Sequence, residues 1–205
     1  MLMAEQLFAT KGNLISAKKT LSLCQLGYEL LDRKRNVLIR EMMSMINDVK
    51  EINGTIEKAY ADAYAALQTA NITLGVTESF ADSVPEDNGL SITSRSVMGV
   101  ELPQLELKKK PLTLSYGLFG TNSQLDIAYI GFERAKELTV KLAEIETGIF
   151  RLAYGIKRVQ RSANSLKNIM IPRYTEIVKT ISDSLEEKER EEFSQLKVIK
   201  AKKLR

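Results

Sequence analysis

From position 14 to position 66 the chain carries an apolar side chain at alternating steps of three and four residues, broken only at Arg35. The series reads Leu14, Ala17, Leu21, Cys24, Tyr28, Leu31, Arg35, Leu38, Met42, Met45, Val49, Ile52, Ile56, Ala59, Ala63, Ala66. A second one reads Ala128, Gly131, Ala135, Leu138, Leu142, Ile145, Ile149, Leu152, Ile156, Val159, Ala163, Leu166, Met170. A mean step of 3.5 falls short of the 3.6 residues of a straight helical turn, so such a stripe faces one partner only if the helices wind into a left-handed supercoil. At 1.5 Å per residue the first stripe alone predicts a helix about 80 Å long. The fold class that follows is all-α: a long antiparallel left-handed two-helix coiled coil, with a small middle segment between the helices.

Composition agrees with elongation. The 205 residues are 44% apolar and 27% charged, yet a two-helix coil buries only one stripe per helix and is marginal without partners. Lys+Arg 30 against Asp+Glu 26 leaves a formal charge of +4 with both signs interspersed, a weak signal for nucleic acid. The single cysteine, Cys24, lies on the stripe, so no internal disulfide is possible and it reads as a small core residue. No apolar run reaches the 18 or so residues of a membrane span, and no basic and apolar leader opens the chain, so direct membrane insertion is not expected and the reading is cytoplasmic.

Three segments are expected: an N-terminal coiled-coil helix over 1–70, a turn-around segment over 71–122, and a C-terminal coiled-coil helix over 123–205, kinked near Pro172. Thr10 is placed to cap the first helix, and Asn122 or Ser123 the second. Gly27 and Gly54 inside the first helix cost about 1 kcal/mol each against alanine. Gly27 either admits a close backbone or is simply tolerated. The alanines near position 63 should let the helices approach more closely. In the middle, glycines and prolines destroy the helical period, residues 91–102 are rich in β-branched and alternating side chains, and residues 112–116 form a second short extended piece. A small hairpin follows, with Lys108, Lys109 and Lys110 as its solvated loop tip or as a contact for an acidic partner. Pro172 lacks a backbone donor and should kink or briefly break the second helix, which resumes through Ile181 and Phe193.

The usual chemical signatures are missing: no histidine, no second cysteine, no phosphate-binding glycine loop. Catalytic, cofactor-binding and metal-binding residues are therefore expected to be none, and the carboxylates read as solvated helix faces. What remains is charge. Arg33, Lys34, Arg35 and Arg40 ring the first helix, while Arg151, Lys157, Arg158 and Arg161 lie on the second within a stretch free of acids. These are either solubilising charge or basic belts that meet acidic loops of a partner. Arg35, standing on the stripe, must snorkel outward or find a carboxylate.

The run ATKGNLISAKKTLSLCQLGYELLDRKRNVLIRE at 9–41, RSANSLKNIMIPRY at 161–174 and LEEKEREEFSQLKVIK at 185–200 together resemble the D-subunit family of V-type and A-type rotary ATPases. The most specific marker is the proline-interrupted element formed by Asn164, Leu166, Ile171 and Pro172; Ser165 and Lys167 stand where the family pattern has alanine and glutamate. The resemblance implies a non-catalytic central-stalk rotor subunit that transmits torque between the ATP-hydrolysing or ATP-making hexamer and an ion-translocating membrane ring. It implies three partners: the hexamer of alternating A and B subunits, the small F subunit of the stalk, and the funnel-shaped socket subunit above the ring. Arg33, Lys34, Arg35, Lys157, Arg158, Arg161, Asn164 and Pro172 are the candidate contacts with hexamer or stalk. No cofactor and no nucleic acid are implied, and the location is peripheral to the membrane within the soluble sector. Two alternatives stand beside this reading, a gamma-like axle of an F-type ATP synthase and a cytoplasmic coiled-coil adaptor, including an RNA-contacting arm. The first expects a substantial α/β middle domain, which about fifty residues without a strand and helix alternation do not supply.

Overall fold

The computed structural model describes residues 8–108, 116–117 and 120–203. Helix α1 is Lys11–Leu74, followed by the single turn α2 (Glu78–Ala81), strands β1 (Leu90–Val97) and β2 (Val100–Leu107), helix α3 (Ser123–Ser165), a π turn (Leu166–Met170) and helix α4 (Ile171–Lys203). The architecture is the all-α coiled coil with a small antiparallel hairpin in its middle segment. Capping follows the sequence: Thr10 Oγ1 accepts the Asn13 N–H at 3.2 Å and Asn122 Oδ1 the Leu125 N–H at 3.0 Å. Helix α1 stops where Gly75, at φ +81°, turns its N–H back to the Asn71 carbonyl, a left-handed C-terminal cap. Two compact units divide the chain, a terminal one built from residues up to Arg35 and from Lys157 onward, and a middle one, Asn36–Ile156.

In the middle unit α1 and α3 run antiparallel: as α1 advances from Met45 to Ala63, its neighbour on α3 retreats from Gly148 to Gly131. Leu38, Met45, Ile56, Ala63 and Ala70 are buried on α1, and Leu125, Ala128, Ala135 and Leu152 on α3. Full burial of a leucine such as Leu38 or Leu152 contributes about 2 kcal/mol. The buried column steps by seven, except between Met45 and Ile56, where it steps by eleven. Eleven residues return almost to the same face of a straight helix, so supercoiling relaxes there. The glycines of α3 set the spacing. A Cβ on Gly131 would lie 3.1 Å from Ala63 Cβ and 3.2 Å from its Cα, so the backbones touch there, as the run of alanines anticipated.

The hairpin sits elsewhere than the sequence suggested. It turns at Met98 (φ 49°) and Gly99 (φ 76°), inside the piece read as one strand, and both strands fall within 90–107. A two-residue turn with both φ positive is type I′, which favours Asn-Gly; methionine hid the signal. Of the second expected piece only Tyr116 is described, as a buried bend residue. Lys108 is not at a tip but donates to the Gly89 carbonyl at the hairpin base, and Lys109 and Lys110 lie outside the described residues.

A hairpin this small needs a neighbour, and the coil supplies it. Val100 seats in the notch left by Gly155, where a Cβ would come within 2.8 Å of Val100 Cγ2. Leu102 and Pro103 are buried. Arg151 donates to the Glu101 carbonyl at 3.2 Å, Glu144 accepts the Leu105 N–H at 3.1 Å, and Arg95 pairs with Glu41 at 2.8 Å. At the other end of the unit Ala70, Tyr116 and Leu125 form a satellite core with Leu74, Phe80, Val84 and Tyr129 packed on it.

In the terminal unit the antiparallel order recurs: Lys11 pairs with Glu189 at 3.0 Å, and Lys167 Nζ lies 5.7 Å above the Tyr28 ring. Ala17, Cys24, Val159, Ala163 and Ile181 are its buried residues. A Cβ on Gly27 would meet only the Leu166 side chain, at 3.5 Å, so no backbone approaches there and the glycine is a tolerated one. Pro172 does not stop the helix. The interruption is absorbed just ahead of it by the π turn Leu166–Met170, whose wider coil accommodates the missing donor.

Two substitutions test this packing. Gly131→Leu should destabilise the chain by about 1–3 kcal/mol through overpacking, whereas Gly54→Ala, whose Cβ meets nothing within 4 Å, should stabilise it by about 0.5–1 kcal/mol; thermal melts of the two variants check both signs. Burial, and then the 2.6 Å bond donated to Asp126, pushes the Tyr116 phenol up from 10.0 to about 12. A raised pKa in the folded state gives stability that is complete below pH 10 and is lost as pH climbs through 12. Melts between pH 9 and 12 should therefore show a steeper decline for the parent chain than for Tyr116→Phe.

Candidate functional site

The exception on the stripe organises the terminal unit. Arg35 stands where an apolar side chain would face α3, and its side chain is only 26% exposed. A cation so placed requires partners. Three residues back on the same helical face, Asp32 Oδ1 meets Arg35 Nη2 at 2.6 Å, and across the pair Arg35 Nη1 donates to Gln160 Oε1 at 2.9 Å. Gln160 in turn donates through Nε2 to Asn164 Oδ1, one turn on, at 2.8 Å. Among the described residues no buried side-chain polar atom lacks a partner. Of the two outcomes open to Arg35, the carboxylate prevailed.

This rung fixes the local register. It brings residues 33–35 of α1 level with 157–161 of α3, so the two basic clusters share one height. Arg33, Lys157, Arg158 and Arg161 are exposed, Lys34 and Arg35 half-buried, and Asn164 and Pro172 exposed. The result is a basic belt around a partly buried polar rung. Such a belt attracts acidic surfaces over about 8–10 Å before salt screens it. Arg40 and Arg151 belong to the middle unit, where Arg151 is engaged by the hairpin.

Asp32 was legible as the i−3 partner of a stripe arginine; Gln160 required the register. Glu144 and Gly155, which grip the hairpin, carried no sequence signal, because nothing local ties them to β2. The middle unit also holds an apolar cleft of about 700 Å³, lined by Tyr60, Phe80, Tyr129 and Phe132 among others. Its cation, Lys136, is bound to Asp87 at 2.9 Å and Glu133 at 2.7 Å. Among the described residues no group of three or more metal-ligating side chains comes together, and no helix is long and apolar enough to cross a membrane.

Comparison with known proteins bears on the whole chain. The profile of the family of ATP synthase D subunits matches residues 13–201. The chain is 40% identical over 195 residues to the D subunit of the V-type ATP synthase of Thermotoga neapolitana, covering 94% of this chain and 96% of the relative. It is 37% identical over 196 residues to the D subunit of the A-type ATP synthase of Methanosphaera stadtmanae, covering 93% and 92%. The corresponding A-type D subunit of Pyrococcus furiosus is 34% identical over 197 residues, covering 94% and 92%.

The polar rung is testable by a double-mutant cycle. Arg35→Leu and Gln160→Leu should each destabilise the chain, since each removes a hydrogen bond from the half-buried rung, while the double variant should cost less than their sum. The expected coupling is about 0.5–1.5 kcal/mol, read from urea unfolding of the four chains.

Proposed function

The chain belongs to the family of ATP synthase D subunits, and we propose that it is the central-stalk axle of a V/A-type rotary ATPase. The observation that carries this reading is the long antiparallel helical pairing within each unit, α1 against α3 in the middle unit and against α3 and α4 in the terminal one. A member built this way offers packed helix rather than reactive groups, so its role is mechanical and non-catalytic. Its site is the soluble sector, peripheral to the membrane.

In this reading the terminal helices enter the hexamer of A and B subunits, and the basic belt of Arg33, Lys34, Lys157, Arg158 and Arg161 faces acidic loops there. Electrostatic attraction of this kind tolerates sliding better than interlocked apolar surfaces, which suits a turning shaft. Asn164 and Pro172 mark the segment that continues the contact. The small F subunit binds along the side, and the funnel-shaped subunit above the ring receives the other end. Each catalytic interface prefers one angular position of the asymmetric coil, so opening and closing of three interfaces is coupled to rotation by differential contact energy. Forced rotation reverses the sequence and drives ATP formation.

Leu152 is fully buried and Ile149 half-buried on α3. Replacing both with aspartate places unpaired charge in the seam and should uncouple the complex, leaving ATP hydrolysis while abolishing ion pumping. Reconstituted vesicles measure both activities, and assembly is verified by co-purification of the tagged chain with the hexamer. Full pumping by an assembled complex carrying the double variant would overturn the axle.

A further inference from the structure

Four elements of the middle unit wall its apolar cleft: α1 through Tyr60, α2 through Phe80, the hairpin through Leu90 and Leu105, and α3 through Tyr129 and Phe132. The volume of about 700 Å³ falls within the roughly 300–1,000 Å³ of clefts that take up a whole organic molecule. Its aromatic walls are braced from behind. Tyr129 meets Tyr116 edge to face at 5.8 Å, and Phe132 meets Tyr64 in the same way at 5.2 Å. The hydroxyls of the lining are engaged within the protein: Tyr60 bonds Thr139 at 2.9 Å, and Thr139 donates to the Ala135 carbonyl at 2.8 Å.

The charge around the cleft is one-sided. Three carboxylates, Glu78, Asp87 and Glu133, stand about a single ammonium, that of Lys136. Lys136 holds Asp87 at 2.9 Å and Glu133 at 2.7 Å, which leaves it little to offer an anion. The Glu78 carboxylate lies at the exposed rim and meets no partner among the described residues. In a chain of net charge +4 this is a local negative spot, set against ring faces that themselves attract a cation.

We propose that this cleft is a binding site for a small organic cation, an aromatic body of about naphthalene size carrying one ammonium group. The body lies among Tyr60, Phe80, Tyr129 and Phe132, and the charge turns toward Glu78. Neutral molecules of the same shape fit the walls but lack the ionic partner, and anions meet Glu78 as a like charge. A bound cation touches α1, α2, both strands and α3, so it ties the hairpin and α2 to the helices and stabilises the unit increasingly with its concentration. The inference stands apart from the stalk reading, because everything it needs lies within the free chain.

Titration of the full chain with naphthylbutylamine, naphthylbutanol and naphthylbutanoate tests the proposal. Calorimetry should rank the amine ahead of the alcohol by about fivefold or more in affinity, and the alcohol ahead of the carboxylate. Nuclear Overhauser contacts should join the naphthyl protons to the methyls of Leu67, Val84 and Leu105, all in the lining, and the melting midpoint should rise with amine concentration. Because Glu78 is exposed, Glu78→Gln leaves the fold intact; it should erase most of the lead of the amine while the alcohol binds as before. An unchanged ranking in that variant overturns the proposal, as do equal affinities of the three probes for the parent chain, preference for the carboxylate, or contacts to methyls outside the cleft. Absence of saturable binding of the amine at millimolar concentration overturns it as well.

Discussion

Two helices that have only each other must bury everything they can along one line, and the closeness of that line governs the rest of this structure. Where α3 carries Gly131, the α1 backbone at Ala63 comes into contact with it. Where it carries Gly148, the Met45 side chain fills the space, 2.7 Å from where a Cβ would sit. Small residues on one helix and larger or equally small ones on the other hold the interaxial distance down, which keeps water from a seam only one side chain wide. The step of eleven between Met45 and Ile56 belongs to the same constraint. A strict heptad drifts off the contact line of a straighter helix pair, and an eleven-residue step brings it back.

Arg35 shows what that seam demands of a polar group. Its charge is accepted only because Asp32 lies one turn back and Gln160 opposite, with Asn164 completing the chain. Apolar stripes slide past one another at modest cost, whereas a rung of directed hydrogen bonds is satisfied at one register. The belt of lysines and arginines therefore owes its common height to a rung that is itself half-buried.

The hairpin depends on the same coil in a different way. It is held by a notch, Gly155, and by side chains of α3 that bond the Glu101 carbonyl and the Leu105 N–H of β2. The consequence is an element anchored to α3 through β2. Val100, Leu102 and Pro103 anchor it to the helices.

Spacing alone determined the helices, their caps at Thr10 and at Asn122 or Ser123, the buried stripe and the choice Arg35 faced between solvent and a carboxylate, since each depends on neighbours within one or two turns. Only the folded chain decided which rungs meet: Gln160 against Arg35, Gly131 against Ala63, Gly155 under Val100. It also decided the place of the hairpin, because a methionine at positive φ obeys its neighbours rather than its own preference. Local periodicity is set by the geometry of one helix, but register is set by contacts between residues far apart in the chain, as Arg35 and Gln160 are, and those contacts have no period to read.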